Sequence, residues 1–382
     1  MLENPEYFSE QLITYIGNKR ALLEFISTGL DFVKKNIKKD KLSCVELFSG
    51  SGVVSRFLKG SSNFLAVNDL EYYARVISEC YLANKSELPL ENLHDYYNKL
   101  IESSSEMLNS DFAPGFISEL YAPKNQDDVK LGERCFYTTY NAHYIDIIRQ
   151  NIDLMISEKY RSFFIAPLLS ECSVHANTSG VFKGFYKNSQ TGKGQFGGNG
   201  RNALSRICAN IELPFPVFSN NECPVKVYQQ DANALVQDSA LYEDVPGGVF
   251  DLAYLDPPYN QHPYGSNYFM LNLVAKYERP DESILSKVSG IPKGWNHSLY
   301  NKRRYALDSF DELIKNLKAR FIMISFNNEG FIPRSDMEAL LAKYGTVTVL
   351  ESKYNTFRGS RNLKNRKIHV KEYLFILEKN VF

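Results

Sequence analysis

Seven short apolar or β-branched runs punctuate the chain, and most of them end in Asp, Asn or Glu. They are residues 42–48 (LSCVELF), 63–69 (NFLAVND), 225–231 (VKVYQQD), 250–256 (FDLAYLD), 320–327 (RFIMISFN), 346–351 (TVTVLE) and 373–378 (YLFILE). β-Branched and aromatic residues at this density read as strands. Polar residues at their carboxyl ends are what an open sheet offers to a ligand crevice. The first five runs are nearly continuous in apolar character, which predicts strands buried on both faces and hence a parallel sheet covered by helices. Helical patterns over residues 72–84 and 309–318 supply crossovers, so the expected class is α/β, a doubly wound and mostly parallel sheet.

The spacing is uneven. The first two runs lie close together, as do the third and fourth, but the gap from Asp69 to Val225 far exceeds one crossover helix. An inserted region is therefore expected at residues 85–220, between sheet-forming parts at 1–84 and 221–382. A shorter insertion, about 260–307, follows the fourth run. Residues 188–202 (NSQTGKGQFGGNGRN) are rich in Gly, Asn and Gln and predict a mobile loop.

At 382 residues the chain has room for two or three folded units of about 150 residues each. Apolar residues make up 44% and charged residues 23%, ordinary globular proportions. Lys plus Arg and Asp plus Glu number 44 each, a formal net charge of zero. That excludes a uniformly cationic wrapper of nucleic acid, so any anionic partner has to be met by a local patch. No apolar stretch approaches the ~20 residues that span a bilayer, and no basic segment leads into an apolar one near the start. A cytoplasmic protein without a membrane partner is expected. The six cysteines (Cys44, Cys80, Cys135, Cys172, Cys208, Cys223) form no CxxC pair, the pattern of reduced, packed thiols. Cys172 and His175 lack a second ligand pair at metal-site spacing, so no metal is expected.

Charge is clustered nonetheless. Lys183, Lys187, Lys193, Arg201 and Arg206 stand between Glu171 and Glu212 with no acid among them. Lys287, Lys293, Lys302, Arg303 and Arg304 do so between Glu282 and Asp308, and seven cations including Arg361 between Glu351 and Glu372. One such stretch is an ordinary solvated face. Three, interleaved with aromatic residues, form the footprint of a polyanion. Lys183, Lys187, Arg303, Arg304 and Arg361 are the candidate phosphate ligands.

Two constellations carry chemistry. In the first, the run VELF enters Phe48-Ser49-Gly50-Ser51-Gly52 and a helix-like VVSRFLK follows. Glycines there permit a tight turn and close approach of backbone to a ligand. Asp69, at the end of the next run, can accept hydrogen bonds from the two hydroxyls of a ribose. A nicotinamide dehydrogenase would share these features, although Ser55 stands where such an enzyme has its third glycine. The second constellation is sharper: Asp256-Pro257-Pro258-Tyr259 directly follows FDLAYL. Two prolines fix φ and stiffen the turn. Such a turn can aim a carboxylate, a peptide carbonyl and an aromatic face at one point, the parts needed to bind an exocyclic aromatic amine.

In this order the motifs resemble those of S-adenosylmethionine-dependent DNA amino-methyltransferases, specifically the Dam-like and FokI-type adenine methylases. Tyr15-Ile16-Gly17-Asn18-Lys19-Arg20 is similar to the family's amino-terminal motif, residues 48–52 to its cofactor loop, and Asp69 to its ribose-binding acid. Gln230-Asp231-Ala232 resembles the motif near the cofactor's adenine, and Asp256-Pro257-Pro258-Tyr259-Asn260 the catalytic motif. Tyr264-Gly265-Ser266-Asn267-Tyr268 and residues 175–181 (HANTSGV) are similar to FokI-type segments. The likeness covers residues 11–85 and 225–380. It departs at Gln261-His262-Pro263, where an arginine is expected.

The resemblance implies a seven-stranded, Rossmann-like methyltransferase sheet with an inserted target-recognition region. It implies catalysis by Asp256, Pro257, Pro258 and Tyr259, with Tyr259 stacking on the target base. S-Adenosylmethionine, leaving as S-adenosylhomocysteine, would be held by Tyr15, Lys19, Phe48, Ser49, Gly50, Gly52, Asp69, Asp231, Ala232 and Asp256. Lys19 would pair with the cofactor's carboxylate or line the crevice. Double-stranded DNA would be contacted by Tyr264 and Asn267 besides the basic residues, and a separate cognate restriction endonuclease is a candidate partner. The target adenine, paired within a duplex, would have to be flipped out. Methylation of cytosine N4 or of RNA stands as a rival, as does a catalytically silent DNA-binding subunit. Asp before the two prolines favours adenine.

Overall fold

The computed structural model describes residues 3–110, 112–198, 200, 203–355 and 369–380. Arg361, with most of the third basic stretch, lies outside the described residues. Each of the seven runs forms a strand: β1 (Leu42–Glu46), β2 (Ser62–Asp69), β3 (Val225–Gln229), β4 (Phe250–Leu255), β5 (Ala319–Asn327), β6 (Gly345–Asn355) and β7 (His369–Lys379). They make one sheet in the order β3-β2-β1-β4-β5-β7-β6. The first five strands pair in parallel, and β7 runs antiparallel to both β5 and β6. This is the mixed, mostly parallel, seven-stranded sheet that the resemblance implies.

Alternation along the strands feeds two apolar layers. Val45, Ala253, Leu255, Ile322 and Ile324 pack with Phe310, Leu313, Met337 and Leu341 from the helices Ala306–Asn316 and Arg334–Leu341. Their neighbours Cys44, Leu252, Tyr254 and Met323 pack with Ile26, Leu30 and Val33 of the helix Leu23–Ile37. Helices on both faces are what continuous apolar strands require. β3 departs from that expectation: all five of its residues are only half-buried, because it is an edge strand with one neighbour.

Between β2 and β3 the chain forms the helices Leu90–Leu108, Thr139–Met155 and Ser162–Val174, with a shorter one at Phe116–Tyr121. Their apolar faces share one cluster with Tyr73, Ile77 and Tyr81 of the helix Tyr72–Tyr81, and with Phe269, Leu271 and Val274 of Phe269–Lys276. A crossover helix of the sheet thus doubles as a wall of the inserted layer. The described part of the glycine-rich segment is tied down. Asn177 Nδ2 donates to the carbonyl of Gln195 at 2.8 Å, its Oδ1 accepts the Gly197 N–H at 3.0 Å, and Lys187 bridges Gly194 in a small hairpin. Among the described residues no helix is long and apolar enough to cross a membrane, and no cluster of His, Cys, Asp or Glu is placed to hold a metal ion.

Candidate active site

The strand order reverses between β1 and β4, and a doubly wound sheet opens its crevice at such a point. Beyond β1 the chain turns through residues 47–52 into the helix Val53–Lys59, with Gly50 at φ 50° and Gly52 at φ 74°. At Gly50 both backbone and space demand glycine, since a Cβ there would stand 2.9 Å from the Tyr15 ring. Asp69, at the end of β2, fastens this turn: its Oδ2 accepts the Gly50 N–H at 2.8 Å and its Oδ1 the Glu71 N–H at 2.9 Å. Burial pushes its carboxyl up to about 6 against the pull of those backbone donors. Each oxygen keeps a lone pair for a ligand hydroxyl.

These residues border a cleft whose free space, mouth included, is about 840 Å³. That volume is ample for a nucleoside-sized molecule. In one part of it Phe48 meets Tyr300 edge-on at 5.4 Å, and the Tyr300 hydroxyl donates to Asn233 Oδ1 at 2.7 Å. Asp231 caps the turn beneath, accepting the N–H groups of Asn233 and Ala234, and Ala232 lines the wall. In another part Tyr15 stacks on Tyr264 with centroids 5.0 Å apart and on Tyr268 at 4.5 Å. Gly17, at φ 79°, lies beneath the hydroxyls of Tyr264 and Tyr259. Ser49 Oγ is buried on the cleft wall with no hydrogen-bond partner, a polar atom awaiting a ligand.

Asp256 reaches the same cleft from the end of β4. Lys19 meets it there: Nζ stands 3.1 Å from Asp256 Oδ1 and 3.1 Å from Glu372 Oε1 of β7. Burial alone would lower the Lys19 pKa, but Asp256 and Glu372 together hold it well above the ordinary lysine value, so it is an ammonium. Burial pushes Asp256 up to about 6; Lys19 draws it down and the like charge of Glu372 pushes it up again. The tyrosine after the prolines is held from outside, its carbonyl accepting the Phe331 N–H at 2.9 Å and its ring edge-on to Phe326 at 5.6 Å. Asn301 Nδ2 donates to the Asn260 carbonyl at 2.8 Å.

All of the residues expected to hold a cofactor except Gly52 line this one cleft, with Pro258 beside them. Lys19 lines it as an ion-pair partner of two carboxylates rather than as a free cation awaiting an anion. Of the candidate DNA contacts, Tyr264 belongs to the cleft wall, and Lys183 Nζ lies 3.3 Å from Nδ1 of His262, just beyond the catalytic corner. Burial and that neighbouring ammonium hold the His262 imidazole below its ordinary pKa. Asn267 is not at the surface. It is 4% exposed, and its carbonyl accepts the Phe182 N–H at 2.8 Å, fastening residue 182 to the segment that follows the Asp256–Tyr259 turn. Lys187 lies over the Phe185 ring, and Arg303 and Arg304 are exposed just beyond Tyr300.

Four residues of the site escaped the sequence reading. Glu46, whose carboxyl burial raises and which accepts a hydrogen bond from Ser55 Oγ, is the lone acid inside a buried run. Glu71 accepts from Asn272 Nδ2 at 2.6 Å and is pushed up to about 7 by burial; its position two residues beyond Asp69 was the available signal. Tyr300 had only its place in a basic, aromatic stretch, and Glu372 only its place at the head of an apolar strand.

Comparison with known proteins adds to this geometry. The family model of the D12 class N6 adenine-specific DNA methyltransferases matches residues 15–323. The chain is 30% identical over 369 residues to the type II methyltransferase M.CviAII of Paramecium bursaria Chlorella virus 1, spanning 96% of this chain and 98% of that one. It is 27% identical over 374 residues to M.NlaIII of Neisseria lactamica, spanning 96% and 99%. Against M.FokI of Planomicrobium okeanokoites the identity is 27% over 385 residues, covering 96% of this chain and 53% of the relative.

Proposed function

The chain belongs to the D12 class N6 adenine-specific DNA methyltransferases, enzymes that methylate adenine in DNA, and we propose how its cleft performs that reaction on double-stranded DNA. S-Adenosylmethionine, when bound, supplies a methyl group made electrophilic by its sulfonium. The residues present suit such a group: Asp69 offers acceptors for a ribose, Phe48 and Tyr300 line the cleft with aromatic surface for a purine, and Ser49 has an unpartnered hydroxyl. No metal is called for by this donor set.

Asp256 and the carbonyl of Pro257 accept the two N–H bonds of the adenine N6 amino group. That pairing favours a pyramidal nitrogen with its lone pair free of the ring. Positive charge grows on nitrogen as the bond to carbon forms, so the same acceptors hold the transition state more tightly than the ground state. Fixing both partners in line supplies much of the remaining rate. Asp256, its carboxyl pushed up to about 6, is suited to receive the proton that the methylated nitrogen sheds. Tyr259 stacks on the base, which has to leave the duplex at a cost of roughly a few kcal/mol. Phosphate contacts from Lys183, Lys187, Arg303, Arg304 and Arg361 offset that cost. Residues 85–220 and 260–307 form the target-recognition layer. We place the enzyme in the cytoplasm, alongside a separate cognate restriction endonuclease.

The observation that carries this reading is the meeting of Asp256 with the Asp69–Gly50 turn in the wall of one cleft. Asp256→Ala abolishes incorporation of labelled methyl into DNA while S-adenosylmethionine still binds, and nucleoside analysis of wild-type product finds N6-methyladenine. Methylation by the variant at near wild-type rate, or N4-methylcytosine in the product, would refute it.

A further inference from the structure

Glu372 has no role in the mechanism above, yet it is 3% exposed and faces the catalytic corner. It sits in β7 opposite Asn327 of β5, far along the chain from every motif of the site. A carboxylate placed there is costly unless paired, and its partner is the ammonium that also serves Asp256. Lys19, itself 4% exposed, stands 3.1 Å from each acid. Nζ is equidistant from Asp256 Oδ1 and Glu372 Oε1. The ammonium is shared between the two acids and committed to neither.

Asp256 and Glu372 both hold Lys19 charged against its burial. The second changes what happens when a substrate arrives. If Asp256 were the sole partner, an incoming amino group would have to compete with a buried ion pair, and displacing Lys19 would strand an unpaired cation. With Glu372 behind it, Lys19 keeps a partner as Asp256 turns an oxygen to the amino group. We propose that Glu372 is a positioning residue for methyl transfer: by holding Lys19 against β7 it keeps Asp256 available to the N6 amino group of adenine. The inference rests on the adenine-methylation reading and deepens it.

The groups facing Asp256 define what the test reads. They are Lys19 from the amino-terminal motif, Glu372 from β7, Glu46 from β1, Tyr254 within β4, and Tyr259 and Tyr264 beyond it. Of these, Glu372 is the carboxylate that shares Lys19 with Asp256. Removing it leaves Lys19 to Asp256 alone, so the Asp256 carboxyl titrates at lower pH and is held more tightly as an ion pair.

The experiment is single-turnover methyl transfer to duplex DNA, at saturating S-adenosylmethionine, over a range of pH. Glu372→Gln is expected to slow transfer about tenfold or more, with cofactor and DNA affinities within about twofold of wild type, and to move the acid limb of the rate profile to lower pH. Glu372→Asp, which keeps the charge, recovers part of the rate and stands in for Glu372→Gln should the latter not fold. In a Lys19→Gln background the effect of Glu372→Gln disappears, because its action runs through the ammonium. Transfer by Glu372→Gln at wild-type rate with an unmoved acid limb overturns the inference, as does an undiminished effect in the Lys19→Gln background. The adenine-methylation reading is judged separately, by whether the wild-type protein modifies DNA adenine in the same assay.

Discussion

Replacing Asp69 with Asn tests whether the acid at the end of β2 serves the cofactor and not the chemistry. Its two oxygens accept the N–H groups of Gly50 and Glu71 at 2.8 and 2.9 Å. An amide retains one acceptor and turns its NH2 towards the other backbone donor. Leaving a buried donor unsatisfied costs about 1–3 kcal/mol. The lost charged acceptor for a ribose hydroxyl removes a further contribution of about the same size. The backbone penalty falls on the folded protein with or without cofactor, so the lost acceptor alone enters binding, about 1.5–3 kcal/mol or roughly ten- to a hundredfold in Kd. Calorimetric titration with S-adenosylmethionine and S-adenosylhomocysteine measures this directly. Asp69 touches no reacting atom, so kcat at saturating cofactor stays close to wild type. Because burial pushes the wild-type carboxyl up to about 6, cofactor affinity also falls as pH drops through 6, and the variant loses that dependence. An unchanged Kd, or a lost kcat with an intact Kd, would refute the assignment.

Gly50→Ala drives a Cβ into the Tyr15 ring and should reduce cofactor affinity at least about tenfold with the helix content of the circular dichroism spectrum unchanged; full affinity would show that the turn tolerates what its geometry forbids. Glu71→Gln should raise the thermal unfolding midpoint at pH 8. The wild-type carboxyl, pushed from 4.5 to about 7, carries a penalty of roughly 3 kcal/mol that is complete above pH 7 and relieved as pH falls towards 4.5. The gain should therefore shrink to under about 1 kcal/mol at pH 5, and a lower midpoint at pH 8 would count against it. Lys183→Ala should weaken binding to all duplexes alike and reduce the salt slope of log K by about 0.9. An altered target preference with an unchanged slope would make Lys183 a reader of bases instead. Wild-type methyl transfer should decline as pH falls through about 6, where Asp256 becomes protonated, and a flat rate down to pH 5 would contradict its role as acceptor.

How much of this the sequence discloses depends on the range over which each feature is encoded. The strands and the polar residues at their carboxyl ends are local patterns, which is why all seven runs form strands and why Asp69, Gly50 and Asp256 meet in one cleft. The burial of β3 is less than its apolar run predicts, because such a run says nothing of whether a second neighbouring strand or solvent lies beside it. Asn267 read as a surface polar residue of the catalytic loop, and only the arrival of Phe182 from a distant part of the chain explains its burial. Glu372 is the extreme case. An acid heading an apolar strand is ordinarily a solvated end, and nothing within several residues of it announces Lys19, which stands near the opposite end of the sequence.

One phenol ties the inserted layer to both the amino-terminal motif and the segment after the Asp256–Tyr259 turn. Tyr268 receives the Ile16 N–H at 2.7 Å, donates to the Gly180 carbonyl at 3.4 Å, and stacks on Tyr15 at 4.5 Å. One residue away, the Asn267 carbonyl takes the Phe182 N–H. The amino-terminal motif, the catalytic loop and residues 180–182 are therefore fastened to one post. Residues 182 and 183 lead directly to the Lys183–His262 contact at the mouth of the corner. Tyr15, held by the same phenol, packs against Gly50 of the turn after β1. Interactions of 2.7–3.4 Å between packed groups transmit displacement because close-packed interiors yield little. A substitution that removes the Tyr268 hydroxyl is therefore expected to loosen the amino-terminal motif and residues 180–182 together.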